Sequence, residues 1–318
     1  MYRTGGAYHM SSFLPAMLYV PGDDEHKLGK IPQIAAPAFI LDLEDAVALS
    51  SKAKARQLVR GVLERAGENL VLWVRINRVD SGFLLDDLEA IVGPGLDGIV
   101  IPKVESSHDT SIVDSILGVL ERRSGLAAET IRTSATIETA RGLANLRDVA
   151  RSSPRLGFLS FGPGDLSLDL HLDWTAESGI ENPTMTAAKT QVVIESRSAG
   201  LAQPHDGVFP HLGKAEQLRA EALFARSLGF GGKHAIHPDQ VKIICCAFRP
   251  SQSEVAEAQA QLAAFEASEQ AGEARVRVAG KFVDYPVAER ARRVLAAAAQ
   301  WPDDDEDLGG GDQHARPC

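Results

Sequence analysis

Along this chain of 318 residues, charged or imidazole side chains recur directly after short apolar runs. They stand at Asp42-Leu43-Glu44-Asp45, Arg75-Ile76-Asn77, Lys103-Val104-Glu105, Glu138, Asp165, His205-Asp206 and His237. A parallel strand covered on both faces is apolar throughout, so a charge at its end requires a reason. Glu138 and Asp165 offer hard carboxylate oxygens with little thiolate or imidazole nearby, a donor set that suits Mg2+ or Mn2+. Magnesium takes one or two protein carboxylates and keeps its other positions for water or a chelating ligand. Arg75 carries a planar fork that holds a carboxylate or stabilises a developing oxyanion; an ion pair with Asp42, Glu44 or Asp45 would use it equally well. His237, placed before Pro238, reads as structural. The glycines of Phe161-Gly162-Pro163-Gly164-Asp165 permit a sharp turn and a close backbone approach.

What could bring such scattered positions together is the order of the elements. Short runs rich in β-formers alternate with longer stretches of helical periodicity, the signature of βα units around a parallel sheet. Candidate strands are Met17 to Val20, Ala38 to Asp42, Leu70 to Ile76, Gly98 to Pro102, Thr133 to Glu138, Gly157 to Phe161, Gly200 to Asp206 and Gly232 to His237. Helical patterns cover Lys52 to Ala66, Ser107 to Arg123, Gly142 to Ser152, Thr184 to Ala199 and Lys214 to Leu228. This repetition predicts an α/β protein with a closed (β/α)8 TIM barrel and a C-terminal helical and lid extension, with a doubly wound open sheet as the alternative. In a barrel all the strand-end charges converge on the C-terminal mouth, where active sites form.

The expected organisation is a flexible leader over 1–12, a catalytic barrel over 13–250, a helical extension and lid over 251–300, and a disordered acidic tail over 301–318. Hydrophobic residues make up 44% and charged residues 24%, ordinary values for a large-cored globular chain. The net charge of −10 disfavours nucleic acid and anionic membrane as partners, although a local cluster of Lys or Arg can still hold a phosphorylated cofactor. Cys245, Cys246 and Cys318 lack any spacing that would hold zinc. With no signal peptide and no apolar run near the roughly 18 residues that cross a bilayer, the expected location is the cytoplasm.

Taken in order, a series of motifs resembles the citrate lyase beta-subunit family, within the HpcH/HpaI aldolase group. They are Leu18-Tyr19-Val20-Pro21-Gly22, Leu41-Asp42-Leu43-Glu44-Asp45-Ala46-Val47, Val74-Arg75-Ile76-Asn77, Ile101-Pro102-Lys103-Val104-Glu105, Ile137-Glu138-Thr139-Ala140-Arg141-Gly142, Gly229-Phe230-Gly231-Gly232-Lys233 with Ile236-His237-Pro238, and Asp284-Tyr285-Pro286-Val287. The resemblance implies a (β/α)8 barrel assembled as a homotrimer or hexamer. Mg2+, with Mn2+ as the substitute, would be held by Glu138 and Asp165. Asp284 matches a lid aspartate that, in malyl-CoA lyase-like members, reaches into a neighbouring subunit's site. Two departures stand out: Pro15-Ala16 replaces an Arg-Ser common in relatives, and Gly164 replaces a Glu often found before the metal aspartate.

The function this resemblance implies is a Mg2+-dependent carbon–carbon lyase. It would cleave a 3-hydroxy-3-carboxyacyl thioester of citryl-, malyl- or citramalyl-CoA type to a keto acid and an acyl-CoA by retro-Claisen chemistry. Arg75, Glu44 and Asp284 are the expected catalytic residues. Arg75, Asp42, Lys103, Pro163 and Gly164 are expected to contact the small acyl-CoA or hydroxy-acid substrate, with Lys27 and Lys30 neutralising cofactor phosphates at the rim. The alternatives are a metal-dependent aldolase on free hydroxy-keto acids, a malyl-CoA thioesterase, and a noncatalytic acyl-binding homologue.

Overall fold

The computed structural model describes residues 14–67, 69–173 and 182–301; the leader expected over 1–12 and positions 302–318 of the expected tail lie outside the described residues. Eight parallel strands close into a barrel in sequence order: β1 (Ala16–Pro21), β2 (Ala38–Asp42), β3 (Leu72–Arg75), β4 (Gly98–Ile101), β5 (Arg132–Ile137), β6 (Leu156–Phe161), β7 (His205–Asp206) and β8 (Gly232–Ala235). The ring is sealed where β1 pairs with β8 through Met17 and His234. The helices of this unit are α1 (Glu25–Lys30), α2 (Lys52–Glu64), α3 (Leu84–Ile91), α4 (Ser107–Arg123), α5 (Ala140–Ala144), α6 (Leu146–Val149), α7 (Pro163–Asp169), α8 (Pro183–Ser198), α9 (Ala215–Leu228) and α10 (Pro238–Phe248).

Two of the expected elements differ. The helix anticipated over Gly142 to Ser152 is interrupted at Asn145, where the backbone leaves the helical region (φ −98°, ψ 11°). The Asn145 side-chain amide donates to the Glu105 carbonyl at 2.9 Å, a bond that competes with helix continuation. The strand anticipated from Gly200 shrinks to His205–Asp206. Pro204 has no N–H to give to a ladder and Gly200 adopts φ +78°, so the regular ladder is confined to His205–Asp206, although the Ala202 N–H still donates to the Gly157 carbonyl at 3.0 Å.

Side chains alternate between the inside and outside of the barrel, and the parity carries across the ring. Tyr19 pairs in register with Ile40, Ile40 with Trp73, and Trp73 with Gly98. Two residues further along, Pro21 pairs with Asp42 and Asp42 with Arg75. The lower part of this inward row is apolar: Met17, Ala38, Ile40, Trp73, Val100 and Phe158 pack as one buried cluster. The upper part is charged. One row therefore supplies both the floor and the mouth of the barrel. Among the described residues, no helix is long and apolar enough to cross a membrane.

The described chain folds as two compact units, 14–247 and 248–301. The second unit contains α11 (Gln252–Gln270), an antiparallel hairpin of β9 (Val276–Val278) and β10 (Lys281–Val283), and α12 (Tyr285–Ala298). Phe265, Val283 and Ala288 form its buried core. Ser251 and Glu254 close a capping box at the start of α11, satisfying end groups that would otherwise lack partners.

Gly98 carries the floor. A Cβ at this position would lie 2.6 Å from the Trp73 ring, which fills the barrel where glycine leaves room and packs 5.2 Å from the Phe158 ring. Gly98→Ala is expected to destabilise the barrel by about 1–3 kcal/mol through overpacking, read as a lower urea midpoint with an unchanged m-value.

Candidate active site at the barrel mouth

Of the strand-end charges anticipated from the sequence, those of Asp42, Glu44, Asp45, Arg75, Lys103, Glu138 and Asp165 come together, whereas His205-Asp206 and His237 do not line the same cavity. A cavity of ≈ 360 Å³ opens at the C-terminal mouth, lined by Asp42, Arg75, Glu138, Pro163, Gly164 and Asp165 together with Tyr19, Pro21, Asp45, Ala46, Thr136, Phe161, Gly162, Gly207, Val208, His234 and Ile236. Glu44 and Lys103 stand beside this lining, in ion pairs with its members.

Arg75 is held from several sides. Its Nε and Nη2 donate to the two oxygens of Asp42 at 2.7 and 2.6 Å, its Nη1 lies 3.1 Å from Glu44 Oε2, and its guanidinium sits over the Tyr19 ring at 4.8 Å. Asp42 is fully engaged, since it also accepts the Glu44 and Ala46 N–H groups at 2.9 and 3.0 Å. Burial, the largest influence, works against its charge, but the Arg75 charge and hydrogen bond together with the Glu44 and Ala46 N–H groups hold the carboxyl below its ordinary range. With both oxygens occupied, Asp42 orients the arginine. Glu44 is tied to both cations, and burial pushes its carboxyl up despite Arg75 and Lys103.

Lys103 links the remaining acids. Its backbone is left-handed at φ +48°, a conformation that L side chains adopt only when their surroundings hold them there. In that geometry its N–H donates to Glu138 Oε1 at 2.7 Å. Its ammonium reaches Glu44 Oε1 at 2.8 Å, Asp45 Oδ2 at 3.0 Å and Asp165 Oδ2 at 3.0 Å. Glu138 is buried, and burial, reinforced by the Glu44 and Asp165 charges, pushes its carboxyl up to about 8 despite the opposing pull of Arg75. A carboxyl in that condition takes either a proton or a further cation. Asp165 sits in the first turn of α7, behind Pro163, whose fixed φ suits a helix start. Glu138 and Asp165 thus present oxygen donors to a cavity that is short of positive charge. The donor chemistry fits a hard divalent ion with open positions.

Several expected residues lie elsewhere. Lys27 and Lys30 are exposed on α1 and do not line the cavity, and Lys27 pairs with Asp24 at 3.1 Å. Asp284 belongs to the second unit, where its carboxylate accepts the Val287 N–H at 3.3 Å and caps α12. His205 and Asp206 are buried. Asp206 is in ion pairs with Lys189 at 3.2 Å and Lys233 at 2.8 Å, and Lys233 also pairs with Glu221 at 2.6 Å. His237 is half-exposed, 3.4 Å from Asp239.

Sequence reasoning passed over Tyr19, Thr136 and His234 as lining residues. Tyr19 precedes Pro21 by two positions and Thr136 precedes Glu138 by two, so strand alternation alone could have placed them on the inward face.

A closed (β/α)8 barrel with an acidic, cation-ready cleft at its C-terminal mouth defines a barrel enzyme. The chain belongs to the HpcH/HpaI aldolase/citrate lyase family, whose profile matches residues 15–238. It is 35% identical to the (3S)-malyl-CoA thioesterase of Cereibacter sphaeroides over 292 residues, covering 91% of this chain and 96% of that protein. It is 32% identical to the citrate lyase subunit beta of Haemophilus influenzae over 284 residues, covering 89% and 96%. Its fold superposes, with a TM-score of 0.76 and 26% identity, on the protein CitE of Mycobacterium tuberculosis in complex with magnesium, acetoacetate and coenzyme A, covering 91% of this chain and 100% of that one.

Gly162 is where the loop before α7 passes closest to Glu138: a methyl group there would overlap both Cβ and Oε2 of the glutamate. Gly162→Ala is expected to leave the far-ultraviolet circular dichroism unchanged while weakening calorimetric binding of a divalent ion by at least about tenfold, because it would displace the Glu138 carboxylate from the donor pair.

Proposed function

We propose that this chain is a Mg2+-dependent lyase that breaks a carbon–carbon bond in a 3-hydroxyacyl thioester bearing a carboxylate, yielding a keto acid and a shorter acyl thioester. The observation that carries this reading is the convergence of Arg75, Glu138 and Asp165 on one cavity. The similarity to citrate lyase beta subunits, and to a CitE protein in complex with magnesium and coenzyme A, supports it.

Glu138 and Asp165 would hold the ion, which when bound supplies Lewis acidity toward the substrate's carboxylate and hydroxyl oxygens. The rest of the chemistry falls to the side chains of the mouth. The substrate hydroxyl loses a proton, the adjacent C–C bond breaks to release the keto acid, and the thioester α-carbon takes up a proton. Arg75 stabilises the oxygen on which negative charge develops. Its fixed fork avoids reorganisation at that moment, because Asp42, Glu44 and the Tyr19 ring already hold it in place. Pro163 and Gly164 line the part of the cavity against which the acyl group would lie. Asp284 as proton donor from a neighbouring subunit, assembly as a homotrimer or hexamer, and Lys27 and Lys30 as phosphate contacts form part of the same proposal, supported by the family resemblance.

A second reading, thioester hydrolysis, draws support from the 35% identity to a malyl-CoA thioesterase. Incubating the purified protein with malyl-CoA, citramalyl-CoA and citryl-CoA, with Mg2+ or with EDTA, separates the two. The lyase reading expects keto acid and acyl-CoA in equal amounts, abolished by EDTA. Free CoA with the intact hydroxy acid would instead establish the hydrolase. Arg75→Lys, which keeps the charge and loses the fork, is expected to lower kcat by about 10²-fold or more with a smaller change in KM.

The acidity of Glu138 adds a pH dependence. In the metal-free protein its carboxyl is protonated below about 8, and the ion must displace that proton. Mg2+ affinity is therefore expected to fall as pH drops below about 8, approaching tenfold per pH unit. Calorimetric titration in two buffers of different ionisation enthalpy would count the proton released; a pH-independent Kd between 6 and 8, a range of about two units, would refute the linkage.

A further inference from the structure

Lys103 touches both of the carboxylates assigned above to the ion, and it does so through two chemically separate parts. Its main-chain N–H binds Glu138 at 2.7 Å, and its ammonium lies 3.0 Å from Asp165. The Lys103 side chain is only 16% exposed, and its ammonium has two further anchors, Glu44 at 2.8 Å and Asp45 at 3.0 Å. Five carboxylates, Asp42, Glu44, Asp45, Glu138 and Asp165, share this mouth with two side-chain cations, Arg75 and Lys103. Arg75 is committed to Asp42 and Glu44. Among the described residues, Lys103 is the cation in ion-pair contact with Asp165.

We infer that Lys103 is a resident counter-cation that competes with the divalent ion for Asp165, withdrawing onto Glu44 and Asp45 when the ion binds. The inference rests on the reading of Glu138 and Asp165 as the metal pair. It assigns Lys103 a positioning role: the side chain keeps the acidic mouth from flying apart when empty, and in doing so weakens metal affinity. The anchors make this workable. When Asp165 is taken by the ion, the ammonium still has two carboxylates within ion-pair distance and is not left buried and unpaired. The bond to Glu138 comes from the main-chain N–H and the contact with Asp165 from the ammonium, so a side-chain substitution removes the second without removing the donor of the first.

The test is calorimetric titration of Mg2+ into the full chain and into Lys103→Met, Lys103→Gln, Lys103→Arg and Glu138→Gln, at fixed pH and ionic strength, with circular dichroism to verify folding. Removing a like charge a few ångströms from the ion should tighten Mg2+ binding by at least roughly tenfold in Lys103→Met and Lys103→Gln, while Lys103→Arg stays within about threefold of wild type. The melting temperature of the neutral variants should be lower than wild type without Mg2+, and the gain on saturation larger. The glutamine variant, which keeps a hydrogen-bonding head, serves if methionine in this acidic setting prevents folding. A residue that merely braced the site would weaken binding when lost, so neutral variants that fold and bind Mg2+ no tighter than wild type would overturn the proposal. Glu138→Gln separates the two layers: it should bind Mg2+ far more weakly, and if it titrates like wild type, the metal-pair reading itself has failed.

Discussion

Excess negative charge at the mouth of the barrel governs how this site is built. Burial removes the water that would otherwise screen Asp42, Glu44 and Glu138, so each carboxylate must find a cation, a backbone N–H or a proton. Asp42 is satisfied by a two-pronged bond from Arg75 and by two main-chain amides. Glu44 is shared between Arg75 and Lys103. Glu138 receives one amide and, among the described residues, no side-chain donor, and it is the acid whose ionisation burial most visibly disfavours. The shortfall falls where an ion with open coordination positions would act on a substrate, which is how a stability problem becomes a catalytic resource.

The barrel separates that strain from the structure that must bear it. Below the mouth the inward row is apolar and packed, with Trp73 occupying the space Gly98 leaves. A second ionic cluster, Lys189, Asp206, Lys233 and Glu221, is nearly balanced in charge and lines no part of the cavity. There burial opposes the Asp206 charge, yet the two lysines hold its carboxyl down at about 2. Asp206 and Glu138 are both buried, and only the one facing the cavity is left short of positive charge.

Much of this was legible in the sequence because strand periodicity and strand-end charge are local signals. Eight apolar runs separated by helical patterns are enough to suggest a ring, and a ring turns scattered residues such as Arg75 and Glu138 into neighbours. What was not legible depends on tertiary geometry. Nothing local announces that Lys103 adopts a left-handed backbone and so aims its N–H at Glu138. The division of labour between Arg75 and Asp42 was open, because an ion pair and a substrate contact use the same residue types; the four hydrogen bonds that Asp42 accepts depend on a geometry no local pattern announces. Tyr19, Thr136 and His234 were overlooked because a single tyrosine, threonine or histidine in an apolar run is more often core than site. The late start of β7 was not legible because nothing local shows that the stretch from Gly200 to Pro204 makes only isolated backbone bonds before the regular ladder at His205–Asp206.

Two buried histidines, His205 and the cavity-lining His234, shape how the protein responds to acid. His205 stacks on Phe158 at 4.3 Å and meets His234 edge-on at 5.7 Å, while His234 meets Tyr19 at 5.4 Å. Burial drives the His205 imidazole down to about 3, and burial with neighbouring positive charge drives His234 well below its ordinary value. Both rings therefore stay neutral across the range in which imidazoles normally switch. The residue type most often responsible for a transition near neutrality is electrically silent in this floor. The histidines act as aromatic packing, and the group at the mouth that burial brings toward neutrality is the Glu138 carboxyl.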